Sequence, residues 1–319
     1  MDIVCNIDEN YVPYCGIMLT SLLDNNRDSE VTVHIVAATL PEDSINVLRR
    51  IVEDTYGQQL RMYFVGDELI RELPHSDNGD IPVYDNSYVS LSTYFRCFLP
   101  QILPADIHKV IYLDCDLAVT GSLKPLWDMD ISGYALAAAE DMNSAFADTL
   151  ERLYLPPSYI IFNAGVLLIN LDYWREHHVT QRLMNWMNAN RSRIVAHDQD
   201  LLNAVLYKEM TYLPHRWNMQ EGMLRRRRHT SLSSEAAIDS EIPETVIVHF
   251  AGRHKPWHEK CLNPYKSIWE HYTDLSPWKG MRPKRHIGFM LNALTFPIQD
   301  MLGLRNGYRH IQHPHPPLR

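Results

Sequence analysis

The chain has 319 residues, 45% of them hydrophobic, which is enough to bury a large core. With 39 acidic against 30 basic side chains its formal net charge is −9, and this excludes a protein that binds nucleic acid over its whole surface. The charge is uneven: from Lys279 to Arg319 there are seven Lys/Arg and one acid, Asp300, so the tail is +6 and the rest −15. Such a split gives the tail a partner of its own, an anionic surface being the usual one.

In chain order, Ile3–Ile7 is a short apolar strand, and Val12–Asn26 has helical spacing through Ile17, Leu19, Leu22 and Leu23. Val31–Ala38 and Leu60–Val65 read as strands around a helix that Pro41 opens, with Ile45, Leu48, Ile51 and Val52 on its apolar face. Residues 74–88 read as a loop, and Leu91–Leu103 as a helix. The buried strand Val110–Leu113 then runs into Asp114-Cys115-Asp116, and Tyr134–Ala139 follows. This βαβ rhythm predicts a parallel, doubly wound sheet with ligands at the carboxyl ends of its strands. Beyond it, Ile160–Leu171 is apolar around Asn163-Ala164-Gly165, helices are expected over 172–190 and 198–207, residues 222–243 read as a polar loop, and Val246–Phe250 is a last strand. A boundary is expected near Pro277, dividing a domain over 1–276 from a basic, aromatic segment over 277–319.

Cys5, Cys15, Cys97, Cys115 and Cys261 are odd in number and lack paired spacing, which points to a reducing compartment rather than a disulfide framework. Met1-Asp2 leads straight into an apolar run, so no secretory leader is expected. The longest apolar run, Tyr159 to Leu171, falls short of the ~18 residues a spanning helix needs.

Chemistry concentrates in a few short motifs. Asp114 and Asp116, two apart in an extended segment, point the same way, and two such carboxylates repel unless a cation lies between them. Oxygen ligands at a strand end suit Mg²⁺ or Mn²⁺ bridging to phosphates. His249, at the end of a β-branched strand, adds a nitrogen ligand that favours Mn²⁺. Gly252 permits close backbone approach, and Lys255 offers a point charge for a diphosphate. Asp8-Glu9-Asn10-Tyr11 follows the first strand, where Tyr11 can stack on a pyrimidine. Asp198-Gln199-Asp200 opens a helix and either caps it or contacts a sugar. Arg225–Arg228 read first as a solvated loop, and otherwise as a lid or an acceptor-phosphate contact. A structural reading stands beside each of the others: acids capping a turn, a hydrogen-bonded strand-end histidine, an N-cap with a packed aromatic.

Together these residues resemble glycosyltransferase family 8, retaining enzymes with a GT-A nucleotide-sugar fold, and most of all its bacterial lipopolysaccharide and lipooligosaccharide α-galactosyl- and α-glucosyltransferases. The likeness runs from Met1 to about Tyr272. It is carried by Met1-Asp2-Ile3-Val4 with Asp8, Asn10 and Tyr11, by Ser92-Thr93-Tyr94-Phe95-Arg96, and by Lys109 to Asp116. Leu123-Lys124-Pro125-Leu126-Trp127, Phe162 to Leu171, Asp198-Gln199-Asp200, His249-Phe250-Ala251-Gly252 and Lys255-Pro256-Trp257 complete it.

The resemblance implies an α/β fold of GT-A, Rossmann-like type with a mixed, mostly parallel sheet, a UDP-sugar donor, and transfer of glucose or galactose to a saccharide or lipid-linked acceptor. It implies Mn²⁺ (or Mg²⁺) on Asp114, Asp116 and His249, and uridine on Asp8, Asn10 and Tyr11. The diphosphate falls to Gly252 and Lys255. The donor sugar falls among Arg96, Asn163, Gly165, Asp198 and Gln199, with Cys115 and Ala164 also lining the donor site. Gln199 is the candidate oxygen on the open face of the anomeric carbon, with Asp198 and Lys255 as the other catalytic candidates; because a neutral amide is a poor nucleophile, front-face substitution without a covalent intermediate stands beside it. The tail, with Arg282, Lys284 and Arg285 beside Ile287, Phe289, Met290, Leu291, Leu294 and Phe296, suits an amphipathic segment lying on an anionic membrane, which places the chain in the cytoplasm on the inner face. A glycogenin-like primer that glucosylates its own tyrosine, and a noncatalytic sugar-nucleotide binder, are the competing readings.

Overall fold

The computed structural model describes residues 1–72, 91–142, 148–228, 232–283, 293–309 and 311. The expected loop over 74–88, and Lys284, Arg285, Ile287, Phe289, Met290 and Leu291 of the tail, lie outside the described residues.

Ten strands are described: β1 (Asp2–Asn6), β2 (Thr32–Ala37), β3 (Gln59–Phe64), β4 (Lys109–Leu113), β5 (Leu117–Val119), β6 (Leu136–Glu140), β7 (Phe162–Asn170), β8 (Met210–Tyr212), β9 (Met219–Gln220) and β10 (Ile247–His249). Seven form a central sheet in the order β3-β2-β1-β4-β7-β6-β8. Its first four strands are parallel, β7 runs antiparallel to both β4 and β6, and β8 returns parallel to β6. The sheet is therefore mixed but mostly parallel. A parallel sheet must be covered on both faces, which is why its inner strands are continuous apolar runs, while the edge strand β3 is only partly buried. Alternate residues feed two cores: Ile3, Cys5, Ile111 and Leu113 pack on one face, Val4, Val110 and Tyr112 on the other.

The remaining three strands make a small sheet, β5-β10-β9. It turns on the acidic motif. Asp114 N–H bonds to the Gly165 carbonyl at 2.9 Å, extending the β4–β7 ladder, while the Asp116 carbonyl accepts from Phe250 N–H at 3.0 Å. The segment between β4 and β5 thus passes from one sheet to the other. Antiparallel pairing of His249 with Leu117 brings the histidine beside the carboxyl end of β4.

Most expected elements stand within two or three residues of their predicted bounds, and four differ in kind. The helix expected after Pro41 is α-helical over Glu42–Arg49 and π-helical over Arg50–Thr55. The helix expected over 172–190 is two, Leu171–Glu176 and Val179–Ala189, broken at His178 with φ +51°. Leu91–Leu103 opens as a 3₁₀ helix, Leu91–Phe98, before one short α turn, Leu99–Ile102. Residues 222–243 are not a loop: they hold the 3₁₀ turn Glu221–Leu224, the helix Leu232–Glu241 and a further turn, Ile242–Glu244. Among the described residues no helix is long and apolar enough to cross a membrane.

The arginine run has a structural task. Arg225 pairs with Glu221, lies over the Tyr308 ring at 4.0 Å and donates to the Asn306 carbonyl. Arg228 reaches Asp239 at 2.8 Å. Backbone bonds from Arg226 N–H to Gly307 and from Arg309 N–H to Leu224 complete a short antiparallel bridge. Residues 221–228 thus clamp the far C-terminal segment onto the body, where Tyr308 and Ile311 join a core containing Phe250, Tyr265 and Trp269.

Candidate active site

The carboxyl ends of β1 and β4 open onto a cavity lined by Asn6, Asp8, Tyr11, Thr93, Arg96, Asp114, Cys115, Asp116 and Lys255. It continues into a second one whose walls include Asn163, Ala164, Gly165, Asp198, Gln199 and Gly252. Thr93, Arg96 and Asp114 line both. The structure therefore brings nearly all the sequence-predicted residues to one continuous depression. Three lie outside the lining: Asn10, exposed on the turn Glu9–Tyr11, Asp200, buried in the fold, and His249, buried behind Asp116 and Gly165. Asp8 caps that turn, accepting from Tyr11 N–H at 3.3 Å.

One carboxylate oxygen each from Asp114 and Asp116 and one ring nitrogen of His249 lie within 4.8 Å of one another. His249 Nε2 is 3.3 Å from Asp116 Oδ1, and Lys255 Nζ contacts Asp116 Oδ2. Burial alone would raise the Asp116 pKa, but Lys255 and His249 beside it outweigh that and hold the carboxyl well below the usual range. Two oxygens and a nitrogen of hard-to-borderline character fit a divalent cation such as Mn²⁺. Gly165 makes the room: a Cβ there would sit 2.3 Å from His249 Cε1 and 2.8 Å from Asp114 Oδ2.

Arg96 organises the floor. Its guanidinium, 4% exposed as a residue, pairs with Asp114 at 2.9 Å and Asp198 at 3.0 Å, donates to the Ala164 carbonyl at 2.6 Å and lies 4.1 Å from the Tyr112 ring centroid. Burial opposes its charge, yet the two carboxylates hold it protonated, with the pKa raised. Asp198 is pushed up by burial, against the pull of Arg96 and of the Thr93 hydroxyl, which donates to it at 2.5 Å.

Gln199 faces inward. Its Oε1 accepts from Ala164 N–H (3.1 Å) and Asn163 Nδ2 (3.2 Å), and its Nε2 donates to Asp141 (3.1 Å). Asp200 does not contact the cavity. It is 2% exposed and accepts from Val195 N–H, Ala196 N–H and Arg152. Sequence reasoning missed Asn6, Asp141 and Asn218. Asn6 sits at the end of β1, where cavity residues are expected, and that position is a usable signal. Asp141 and Asn218 carry no spacing that marks them.

A mostly parallel nucleotide-binding sheet, an aspartate pair at the end of its fourth strand and a histidine delivered from a second small sheet define a GT-A chain. The model of glycosyl transferase family 8 matches residues 2–261, and the chain belongs to that family; it is a glycosyltransferase. It is 29% identical over 285 residues to General stress protein A of Bacillus subtilis, covering 87% of this chain and 94% of that one. It is 26% identical over 286 residues to a lipopolysaccharide 1,2-glucosyltransferase of Escherichia coli, covering 88% and 80%. Among solved structures, the galactosyltransferase LgtC in complex with donor and acceptor sugar analogues superposes with a TM-score of 0.76 at 26% identity, covering 91% of this chain and 99% of that one.

Proposed function

We propose that the chain transfers a hexose, glucose or galactose, from a UDP-sugar to a saccharide or lipid-linked saccharide with retention of configuration, using Mn²⁺ held by Asp114, Asp116 and His249. The observation that carries this reading is the three-ligand cluster at the meeting point of two sheets, opening on a cavity with Tyr11 at one end and Gln199 in its second part. When bound, the cation supplies the positive charge that a departing nucleoside diphosphate needs. Lys255, already paired with Asp116, adds a second positive charge on the same side. Tyr11 offers a face for a pyrimidine. Arg96 pairs with Asp114 and Asp198 and fixes both in place, so the polar floor beneath a sugar is set before it arrives.

Gln199 spends its carbonyl oxygen on two protein N–H donors, which favours a positioning role and a front-face substitution over attack by the amide. Lipopolysaccharide-type acceptors are supported by the named relatives, and an inner-membrane location by the exposed apolar residues of the C-terminal segment. The test is UDP release from a panel of UDP-sugars with and without Mn²⁺. Asp114→Asn should abolish metal-dependent transfer; normal turnover in that variant refutes the metal assignment.

A further inference from the structure

A chain of buried amides runs from the proposed metal site to Gln199, and a single backbone group fixes its direction. Gly165 N–H can only donate, and it donates to Asn163 Oδ1 at 3.0 Å. Asn163 must then present Nδ2 to its other neighbours, Asp141 Oδ1 and Gln199 Oε1, each at 3.2 Å. The same Asn163 oxygen takes Asn218 Nδ2 at 2.9 Å, which leaves Asn218 Oδ1 facing His249 Nδ1 at 2.8 Å. An amide oxygen cannot donate, so the proton lies on Nδ1. Flipping Asn218 would set its oxygen against that of Asn163, two acceptors face to face, and lose that bond. With Nδ1 protonated, the neutral imidazole has its one lone pair on Nε2, the nitrogen that faces Asp116.

We propose that Asn218 is a positioning residue that holds His249 in the tautomer whose Nε2 can take a divalent cation. This rests on the metal reading above. Asn218 is fully buried and contributes no atom to either cavity, so it acts on the reaction only through His249 and Asn163. Groups that orient a histidine ligand through its second nitrogen typically govern metal affinity by about 10- to 100-fold.

The test compares the full chain with Asn218→Leu, Asn218→Asp and His249→Ala, titrated with Mn²⁺ alone and with Mn²⁺ in the presence of UDP, using the electron paramagnetic resonance signal of free Mn²⁺. Asn218→Leu should weaken Mn²⁺ binding at least tenfold. Asn218→Asp should bind Mn²⁺ better than Asn218→Leu but more weakly than the parent, because one carboxylate oxygen still accepts from Nδ1–H while the other replaces the donor to Asn163 Oδ1. In parallel, ¹⁵N imidazole spectra of the metal-free parent, with the His249 signal assigned by its loss in His249→Ala, should show Nδ1 protonated. That measurement decides the tautomer even if Asn218→Leu does not fold. A folded Asn218→Leu that binds Mn²⁺ as the parent does, or a parent His249 protonated on Nε2 with Nδ1 bare, overturns the proposal. Equal binding by the parent and His249→Ala overturns the metal reading instead, and the two failures are thereby told apart.

Discussion

At Gly165 the constraint is space rather than backbone conformation. A methyl group would lie 2.3 Å from His249 and 2.8 Å from Asp114, two of the three proposed ligands, and neither is the free end of a long, flexible side chain. Gly165→Ala should therefore cost ~1–3 kcal/mol of stability, as overpacked interiors do, and should weaken Mn²⁺ binding far more than that loss suggests. Thermal melts together with Mn²⁺ titration check this; unchanged affinity would show that the ligands do not share one ion. Gln199 gives the second prediction at this scale. With its oxygen held by two donors, Gln199→Ala should lower turnover by roughly 10²-fold, the scale of misplaced positioning groups, and leave it measurable. A folded variant with no turnover at all, or a sugar adduct on Gln199 in the intact mass of the parent, would restore the nucleophile. Asp114, Asp116 and His249 were legible in the sequence because ligand-type side chains at the ends of apolar strands are a local pattern. Asn218 was not: an asparagine in Trp217-Asn218-Met219 becomes informative only when pairing of β9 with β10 sets it beside His249.

Secondary-structure elements show the same division between local and long-range causes. The inner strands β1, β2, β4, β6 and β7 were legible because each is an apolar run buried on two faces, whereas β5, β8 and β9, two or three residues long, are too short to carry a pattern and were not read. The helix Leu232–Glu241 was not legible, because the sequence Leu-Ser-Ser-Glu-Ala-Ala-Ile-Asp-Ser-Glu has no apolar period, although Ile238 is fully buried. Its support comes from far along the chain, where Arg309 reaches Asp239 at 2.9 Å and Glu235 at 3.5 Å. The helix His197–Leu206 carries a testable case. Asp200 holds its entrance by accepting two backbone N–H groups and the Arg152 guanidinium, both side chains being at most 10% exposed. Asp200→Ala removes one partner of a buried ion pair, which typically costs ~3–5 kcal/mol. Denaturant melts should show that loss. Moreover, because Gln199 is the preceding residue, transfer should fall in the variant even at temperatures where it is folded. A melt within 1 kcal/mol of the parent, about the size of one exposed pair, would mean that the entrance is held elsewhere.

For the whole molecule, the question is what the C-terminal segment offers to solvent. The tail's positive charge suggested electrostatics, but several of its arginines are spent within the chain: Arg282 on Asp274 and Glu270, Arg305 on Asp300, Arg309 on Asp239 and Glu235. What remains outward around the helix Phe296–Met301 is apolar, with Leu294, Ile298, Met301, Leu302 and Leu304 each 57–77% exposed. Clustered exposure of this kind marks an interaction surface, and the Arg225–Tyr308 bridge fixes the end of this segment to the body. Cutting the chain at Pro277 would be a poor test, since it also removes Trp278, which packs against Gly16, and Tyr308 from the core. Substituting Leu294, Ile298 and Met301 together by serine leaves those contacts in place. Full burial of one such side chain is worth ~1.5–3 kcal/mol, so the triple variant should lose more than tenfold in flotation with anionic vesicles while keeping its melting temperature and its UDP-sugar hydrolysis. Binding by the parent should also survive raised salt, because the contact is apolar rather than ionic. Flotation that is equal in parent and triple variant, or that salt abolishes, would remove the apolar face as the membrane contact and return the role to the basic residues.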